Sequence, residues 1–94
     1  MTIHWTPEAL TGLANQLTYF ASYSELAAER LALKVETAAQ TLGILPLSGK
    51  KLRTARKYAV PRTDLILIYR VTQDSVEIVA LLDGRENWQK RFKP

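Results

Sequence analysis

Two apolar runs in the C-terminal half of the chain are separated by only four residues. They read LILIYRV (Leu65 to Val71) and VEIVALL (Val76 to Leu82). Both runs are short and rich in β-branched residues, so they predict strands. A connection this short can join neighbouring antiparallel strands but not parallel ones. The sequence therefore predicts a β-hairpin with Gln73 and Asp74 at its turn.

The register of this hairpin decides which side chains share a face. With Gln73 and Asp74 at the turn, Thr72 faces Ser75 and the other pairs follow by counting outward. The pairs predicted are Arg70–Glu77, Ile68–Val79, Ile66–Leu81 and Asp64–Asp83. The face predicted to pack on the helices contains Leu65, Leu67, Tyr69, Val71, Val76, Ile78, Ala80 and Leu82. The opposite, mixed face contains Ile66, Ile68, Arg70, Glu77, Val79 and Leu81, with Asp64 and Asp83 at its far end and Arg62 and Arg85 just beyond.

The N-terminal half has the period of about 3.6 residues that is typical of helices. Thr6 can cap a helix and Pro7 suits its first position, so a first helix is predicted from there to about Ser22. Its buried face is predicted at Leu10, Leu13, Ala14, Leu17, Phe20 and Ala21.

A second helix follows almost at once. Ser24 can cap it, and Gly43 offers a left-handed C-terminal stop. Its buried face is predicted at Ala28, Leu31, Val35, Ala38 and Leu42. Because the connection through Tyr23 is so short, we expect the two helices to form an antiparallel hairpin.

Two shorter strands complete the predicted architecture. Thr2 to Trp5 alternates polar and apolar residues, and Tyr58 to Val60 is a short strand ended by Pro61. The fold class is therefore α+β: an N-terminal strand, an antiparallel helix hairpin, then a three-stranded antiparallel meander with the helices on one face of the sheet. A length of 94 residues predicts a single domain over residues 1–94.

The composition excludes several kinds of site. The chain has no cysteine and one histidine, His4, so neither a disulfide framework nor a zinc site is expected. It has no P-loop, dinucleotide fingerprint or supported Ser–His–Asp triad, and we expect no cofactor. No apolar run approaches the roughly 18 residues that span a bilayer, and the start lacks a secretory signal pattern. A cytoplasmic protein without membrane association is expected.

Positive charge is concentrated in the C-terminal half. Residues 1–49 carry two basic and four acidic residues, whereas residues 50–94 carry eleven basic and five acidic ones. Between Gly49 and Arg62 there is no acid and there are six cations: Lys50, Lys51, Arg53, Arg56, Lys57 and Arg62. This density favours an anionic partner, either nucleic acid or an acidic protein segment, over a solvated loop. Charge alone does not choose between these partners.

Charged and aromatic residues near the hairpin have two interpretations each. Arg70 is predicted to pair with Glu77, because an unpaired cation among apolar neighbours is costly. A cluster at the far end of the hairpin is either a site or a mutually neutralising surface network: Arg62, Asp64, Asp83 and Arg85. Three aromatic residues could stack on bases, although packing is favoured: Trp5, Trp88 and Phe92. His4 is expected to be an exposed surface residue.

The order of these segments resembles the RelE/ParE superfamily of type II toxins. The similarity runs from Trp5 to Phe92 and includes WTPEAL, a helix hairpin with AAERL, a basic strand, LILIYRV, VEIVALL and GRENW. The resemblance implies a bacterial toxin with two helices packed on an antiparallel sheet. It also implies growth inhibition, plasmid stabilisation and a cognate antitoxin that holds the toxin inactive in a hetero-oligomer.

Two activities are known within that superfamily. RelE-type toxins are ribosome-dependent endoribonucleases, whereas ParE-type toxins are thought to poison DNA gyrase. The RelE pattern places cations where this chain has Ala59, Pro61 and Ile66, and only Arg85 remains. An endonuclease needs a positioned base and cations, so these departures argue against RNA cleavage.

The ParE-like pattern fits better, through Arg56, Arg70 and Arg85. LLDGRENW resembles an ending usually of the form LHGARDW, with Asp83 in place of the common histidine, which is the residue best able to exchange protons near neutral pH. The leading hypothesis is a non-catalytic poison of DNA gyrase. One alternative is a RelE-like endoribonuclease that acts on the ribosome and mRNA through Arg62, Arg85, Lys57 and Asp83. The other is a non-toxic, antitoxin-binding relative. Target or antitoxin binding is expected at Lys50, Lys51, Arg53, Arg56, Lys57, Arg62, Arg70, Asp83, Arg85 and Trp88.

Overall fold

The computed structural model describes residues 1–94 as two helices and a five-stranded sheet. The strands are β1 (Thr2–Trp5), β2 (Lys50–Lys51), β3 (Arg56–Ala59), β4 (Leu65–Val71) and β5 (Ser75–Asp83). The helices are α1 (Pro7–Ala21) and α2 (Glu25–Ile44), and a 3₁₀ turn spans Trp88–Lys90. The sheet order is β1-β5-β4-β3-β2. Neither helix combines the length and the apolar character that crossing a membrane would require.

The predicted α+β architecture is confirmed, and the sheet gains two features that the sequence pattern did not reveal. The predicted basic loop contains β2, which pairs antiparallel with the start of β3. The N-terminal strand β1 joins the opposite edge and runs parallel to β5. In addition, β3 spans Arg56–Ala59 rather than the predicted Tyr58–Val60. A two-residue strand carries no readable alternation, and strand pairing between the chain ends leaves no local signal.

A β-bulge in the β4–β5 hairpin corrects the predicted register. From the turn to the pair Tyr69–Ile78 the register is as predicted, including Arg70 opposite Glu77. The pairing then shifts by one residue, and Val79 is the extra residue on β5. The pairs beyond the shift are Ile68–Ala80, Leu67–Leu81, Ile66–Leu82 and Leu65–Asp83. The predicted pairs that are wrong are Ile68–Val79, Ile66–Leu81 and Asp64–Asp83.

The bulge also exchanges the faces of the side chains that follow it on β5, because a shift of one residue turns them to the other side of the sheet. Leu81 packs in the helix-side core, whereas Ala80 and Leu82 lie on the opposite face, the reverse of the prediction. The largest fully buried side chains of the helix-side core include Val35, Leu42, Leu67, Tyr69 and Ile78. The smaller second core, on the opposite face, contains Leu52, Ala55, Ile66, Ile68, Ala80 and Phe92.

Thr6 connects the bulge to the start of α1. Its hydroxyl donates to the Val79 carbonyl at 2.8 Å and accepts from the Ala9 N–H at 3.1 Å, which confirms the predicted cap. Its own N–H donates to the Ile78 carbonyl at 3.0 Å. Thr6 therefore forms hydrogen bonds with backbone groups of both the bulged strand and the first turn of the helix.

Helix α1 approaches β5 through its smallest residues. Ala9 is fully buried, and a Cβ at Gly12 would lie 2.5 Å from the Leu81 carbonyl oxygen. The predicted buried face is therefore partly wrong, and its exposed members are Leu10, Ala14 and Ala21. Close packing of a helix backbone on a strand requires small residues, whereas a periodicity argument gives most weight to large ones.

Helix α2 begins as predicted and ends differently. The Ser24 hydroxyl accepts from the Ala27 N–H at 3.1 Å. The helix runs past Gly43 to Ile44, and no glycine has a positive φ, so the predicted left-handed stop is wrong. The N-terminus crosses the helix here: the Met1 amino group donates to the Gly43 carbonyl at 2.8 Å. A Cβ at Gly43 would lie 3.1 Å from the Met1 carbonyl oxygen, which explains the small residue.

Replacing Gly12 with alanine should lower the free energy of unfolding by about 1–3 kcal/mol, as overpacking does in other interiors. If a Cβ had room, the higher helix propensity of alanine would instead raise stability by up to about 1 kcal/mol. Urea denaturation distinguishes the two outcomes. Thr11→Ala, at an exposed neighbouring position, is the matched control, and a stabilised Gly12→Ala variant would contradict the close approach.

Removing the Thr6 hydroxyl should cost more than removing an ordinary cap. Ser24→Ala deletes only a capping bond and should cost about 1 kcal/mol. Thr6→Ala also leaves the Val79 carbonyl without its donor and should cost about 2 kcal/mol or more. Thr6→Ser retains the hydroxyl and serves as the control. Equal losses for the two alanine variants in urea denaturation would show that the bond to the bulge contributes nothing.

Candidate functional site

A cleft opens where the helix hairpin meets the ends of β4 and β5. Its volume is about 310 Å³, and we call it the end cleft. Its apolar lining includes Phe20, Leu31 and Leu65. Its charged lining consists of Arg30, Lys34, Arg62, Asp64, Asp83 and Arg85. The structure therefore brings together all four charged residues that the sequence placed at the end of the hairpin, on the helix side rather than on the predicted opposite face.

Arg85 binds both acids of the end cleft. Its guanidinium donates to Asp83 at 3.1 Å from Nε and at 2.8 Å from Nη2. Its backbone N–H also donates to Asp83 Oδ1 at 2.9 Å, and its Nη1 lies 3.6 Å from Asp64 Oδ2. The Asp83 side chain is 13% exposed and that of Arg85 is 71% exposed. The pair thus holds the ending LLDGRENW in place while most of the guanidinium faces solvent.

This pairing fixes the charge of both groups. Hydrogen bonds from the Arg85 side chain lower the pKa of Asp83 below its ordinary value, against a smaller opposing effect of burial. Conversely, the bonds to Asp83 raise the pKa of Arg85. Asp83 is therefore ionised and Arg85 protonated at neutral pH. Neither group is suited to exchange a proton with a substrate there.

Arg62 reaches the end cleft from an unusual backbone conformation. Its φ is 62°, and it is the only non-glycine residue with a positive φ. Such a conformation is uncommon for a residue with a Cβ. Its carbonyl accepts a long hydrogen bond of 3.5 Å from Lys34 Nζ, and its guanidinium makes no ion pair. The network of mutual neutralisation therefore includes Arg85, Asp83 and Asp64 but leaves Arg62 out.

The other residues expected to bind a partner lie outside the end cleft. Arg56 donates to the Gly49 carbonyl at 2.9 Å, and Arg70 makes its predicted pair with Glu77 at 3.8 Å. The Lys57 ammonium lies 5.0 Å from the centre of the Trp88 ring, within cation–π range. Three further cations are exposed and make no ion pair: Lys50, Lys51 and Arg53. Part of the basic segment is therefore engaged within the fold.

Three aromatic side chains pack in or against the two cores, whereas the histidine is exposed. Phe92 is buried in the second core and Trp88 packs against it, whereas Trp5 packs against the helix-side core. The interpretation of these side chains as packing residues is confirmed. His4 is exposed on β1, as expected. No three His, Cys, Asp or Glu side chains are grouped closely enough to hold a metal ion.

Two residues of the end cleft were missed from the sequence. Arg30 and Lys34 are four residues apart on α2, so they share one face of that helix. This spacing was readable, but nothing local indicated that this face borders the end of the sheet. They also belong to the half of the chain with more acids than cations, so the charge distribution did not indicate that they line a basic cleft.

Comparisons with known proteins agree on the kind of protein that this fold represents. Residues 3–88 match the sequence profile described as "ParE toxin of type II toxin-antitoxin system, parDE". The chain is 32% identical over 77 residues to "Toxin RelE2" of Caulobacter vibrioides, which covers 82% of this chain and 88% of that protein. A chain of the solved structure titled "Chromosomal ParDE TA system from P. aeruginosa" superposes with a TM-score of 0.75. That superposition covers 86% of this chain and 92% of the other at 15% identity, and it shows a shared fold.

The Asp83–Arg85 pair should make stability depend on pH in a defined direction. The pKa of Asp83 is lower in the folded chain than in the unfolded one, so the pair stabilises the fold above the unfolded pKa, about 4. This contribution is lost as the pH falls through the folded-state pKa. Wild type should therefore unfold at higher urea concentration than Asp83→Asn at pH 7, and the difference should shrink in acid. Asp74→Asn, at the exposed hairpin turn, is the control, and a difference that does not vary with pH would contradict the pairing.

Proposed function

The chain belongs to the ParE family of toxins of type II toxin–antitoxin systems, and on this premise we propose that it inhibits growth by binding DNA gyrase, without catalysis of its own. The ion pair between Asp83 and Arg85 carries this proposal. It leaves the ending LLDGRENW with an exposed cation for a protein partner and with no group that titrates near neutral pH.

Cleavage of RNA would require groups that this chain does not bring together. A ribonuclease needs a base for the 2′-hydroxyl and an acid for the leaving oxygen. Asp83 stays ionised because Arg85 lowers its pKa. In the sheet, His4 lies beside Glu77, which is six residues before Asp83 on β5. Six residues of a strand span about 20 Å, so His4 is about that far from Asp83. The end cleft therefore contains no histidine, the side chain best suited to proton transfer near neutral pH.

The positions of the RelE-type cations support the same conclusion. Ile66 is buried in the second core, and Ala59 carries no functional group. Lys57, a possible substitute, lies over the Trp88 ring and not in the end cleft. The four residues of the alternative catalytic set therefore do not share one site.

One observation favours the alternative of a ribosome-dependent endoribonuclease. The 32% identical relative from Caulobacter vibrioides carries the name "Toxin RelE2". Arg62, Arg85 and Asp83 do line the same cleft, where the two arginines could contact a phosphate. In that case the ribosome and the bound mRNA would have to supply the proton transfers. The remaining alternative is a non-toxic relative that keeps only the antitoxin interaction.

A cognate antitoxin is the partner best suited to the exposed surface. Beside the exposed Lys50 and Lys51, the end of α2 and the segment after it expose three large apolar side chains: Ile44, Leu45 and Leu47. Adjacent apolar and cationic surface suits an amphipathic, acidic segment of a partner. We therefore propose a hetero-oligomer in which the antitoxin covers this surface. Where such a gene pair is carried on a plasmid, release of the toxin would serve plasmid stabilisation.

Arg85→Ala should remove most of the growth arrest and leave antitoxin binding intact. Arg85 is exposed and belongs to neither core, so its loss should not unfold the chain. Induced expression measures the growth arrest, and co-purification with the antitoxin measures binding. Lys90→Ala removes an exposed cation elsewhere and is the matched control. Unchanged growth arrest in Arg85→Ala would contradict a role for this ending.

Purified toxin without antitoxin separates the three functions. Loss of gyrase supercoiling or trapped gyrase cleavage complexes would support the proposal. Cleavage of ribosome-bound mRNA with normal supercoiling would replace it with the endoribonuclease. If neither occurs and expression does not slow growth, the chain is the non-toxic relative.

A further inference from the structure

The end cleft carries more positive charge than its own acids neutralise. Arg85 binds both of its acids, Asp83 and Asp64, at 2.8 and 3.6 Å. The other three cations have no acidic group within ion-pair distance: Arg30, Lys34 and Arg62. With four cations and two acids, the cleft has a net charge of +2.

These three cations come from two separate elements and converge on one space. Arg30 and Lys34 lie one turn apart on α2, and Arg62 lies in the connection between β3 and β4. The Lys34 ammonium is 3.5 Å from the Arg62 carbonyl oxygen. Cations that line the same cleft repel one another, and the left-handed backbone of Arg62 is itself unfavourable. The arrangement is thus unfavourable by itself, and an anion in the cleft would relieve the repulsion.

The cleft also has an aromatic wall. Phe20 and the exposed ring of Tyr23 both line it, with ring centres 5.8 Å apart and ring planes at 79°. Small-molecule sites typically combine such apolar surface with a few charged groups, in volumes from about 300 Å³ upward. The end cleft, at about 310 Å³, is at the small end of that range.

We propose that the end cleft binds a small phosphate monoester that carries a planar ring, the chemical class of a nucleoside monophosphate. A phosphate monoester carries a charge of about −1.5 to −2 at pH 7, which matches the net charge of the cleft. The guanidinium groups of Arg30 and Arg62 can each donate paired hydrogen bonds to its oxygens. Its ring lies against Phe20 and Tyr23. A single carboxylate of a peptide would neutralise only about half of this charge. This proposal does not require that the toxin inhibits DNA gyrase.

Isothermal titration calorimetry of the purified full-length chain tests the proposal with four probes: adenosine 5′-monophosphate, adenosine, inorganic phosphate and a poly-glutamate peptide. The monophosphate should bind saturably at one site. Adenosine and phosphate should each bind at least about tenfold more weakly, because each lacks half of the contacts. The poly-glutamate peptide should displace the monophosphate only weakly, because it offers the end cleft neither a phosphate nor a planar ring.

Three variants assign the binding to the end cleft. Arg62→Gly removes a cation and should weaken monophosphate binding at least about tenfold, while glycine accepts the left-handed backbone and keeps the fold stable. Arg30→Gln, on the surface of α2, should weaken it in the same way. Lys90→Gln removes one positive charge outside the cleft and should leave the affinity unchanged. Urea denaturation of each variant verifies that it is folded.

Several results would overturn the proposal. These are no saturable binding of the monophosphate, equal binding of monophosphate and inorganic phosphate, or displacement of the monophosphate by an equal concentration of the peptide. Binding that survives both cleft variants, or that Lys90→Gln weakens as much as they do, would also overturn it. Because the assay measures binding and not growth, its failure would leave the gyrase proposal untouched.

Discussion

The hydrogen bond from the Thr6 hydroxyl to the carbonyl of the bulged residue Val79 joins the start of α1 to β5, and the rest of the structure depends on this link. Beyond the bulge, every side chain of β5 lies on the face opposite to the one that simple alternation predicts. Leu81 is thereby directed into the helix-side core, against the part of α1 where Gly12 allows close approach. Asp83, two residues further on, follows it to the same side. Without the bulge, Asp83 would lie away from the helices and could not line the end cleft.

The pairing of Asp83 with Arg85 depends on this geometry. Because Asp83 is largely buried and Arg85 is exposed, the pair fixes the position of the guanidinium while presenting it to solvent. The same hydrogen bonds keep the carboxylate ionised, so the feature that positions the cation also prevents acid–base chemistry at this point. The proposed function, inhibition by binding, needs the first property and not the second.

The basic segment shows that the number of cations in a stretch of sequence does not determine where positive charge gathers in the fold. As sequence it is one run of cations, but Arg56 is bound to a backbone carbonyl and Lys57 lies on an aromatic ring. The cations that converge in a concave site instead include Arg30 and Lys34, from the half of the chain that carries more acids. The local electrostatic field therefore depends on which helices and strands lie next to one another. The interaction between two charges falls with their distance in space, whatever their separation along the chain.

The sequence by itself determined the helix hairpin, both helix caps, the β4–β5 hairpin, the Arg70–Glu77 pair and the α+β class. These features rest on interactions between residues close in sequence or on periodicity, which any short window of the chain displays. Only the tertiary structure decided the bulge, the parallel pairing of β1 with β5, the roles of Gly12 and Gly43, and the end cleft. Each of these depends on contacts between distant residues, such as the bond from Thr6 to Val79 across 73 positions. No local pattern records such contacts, because their free energy is gained only once the helices and the sheet have come together.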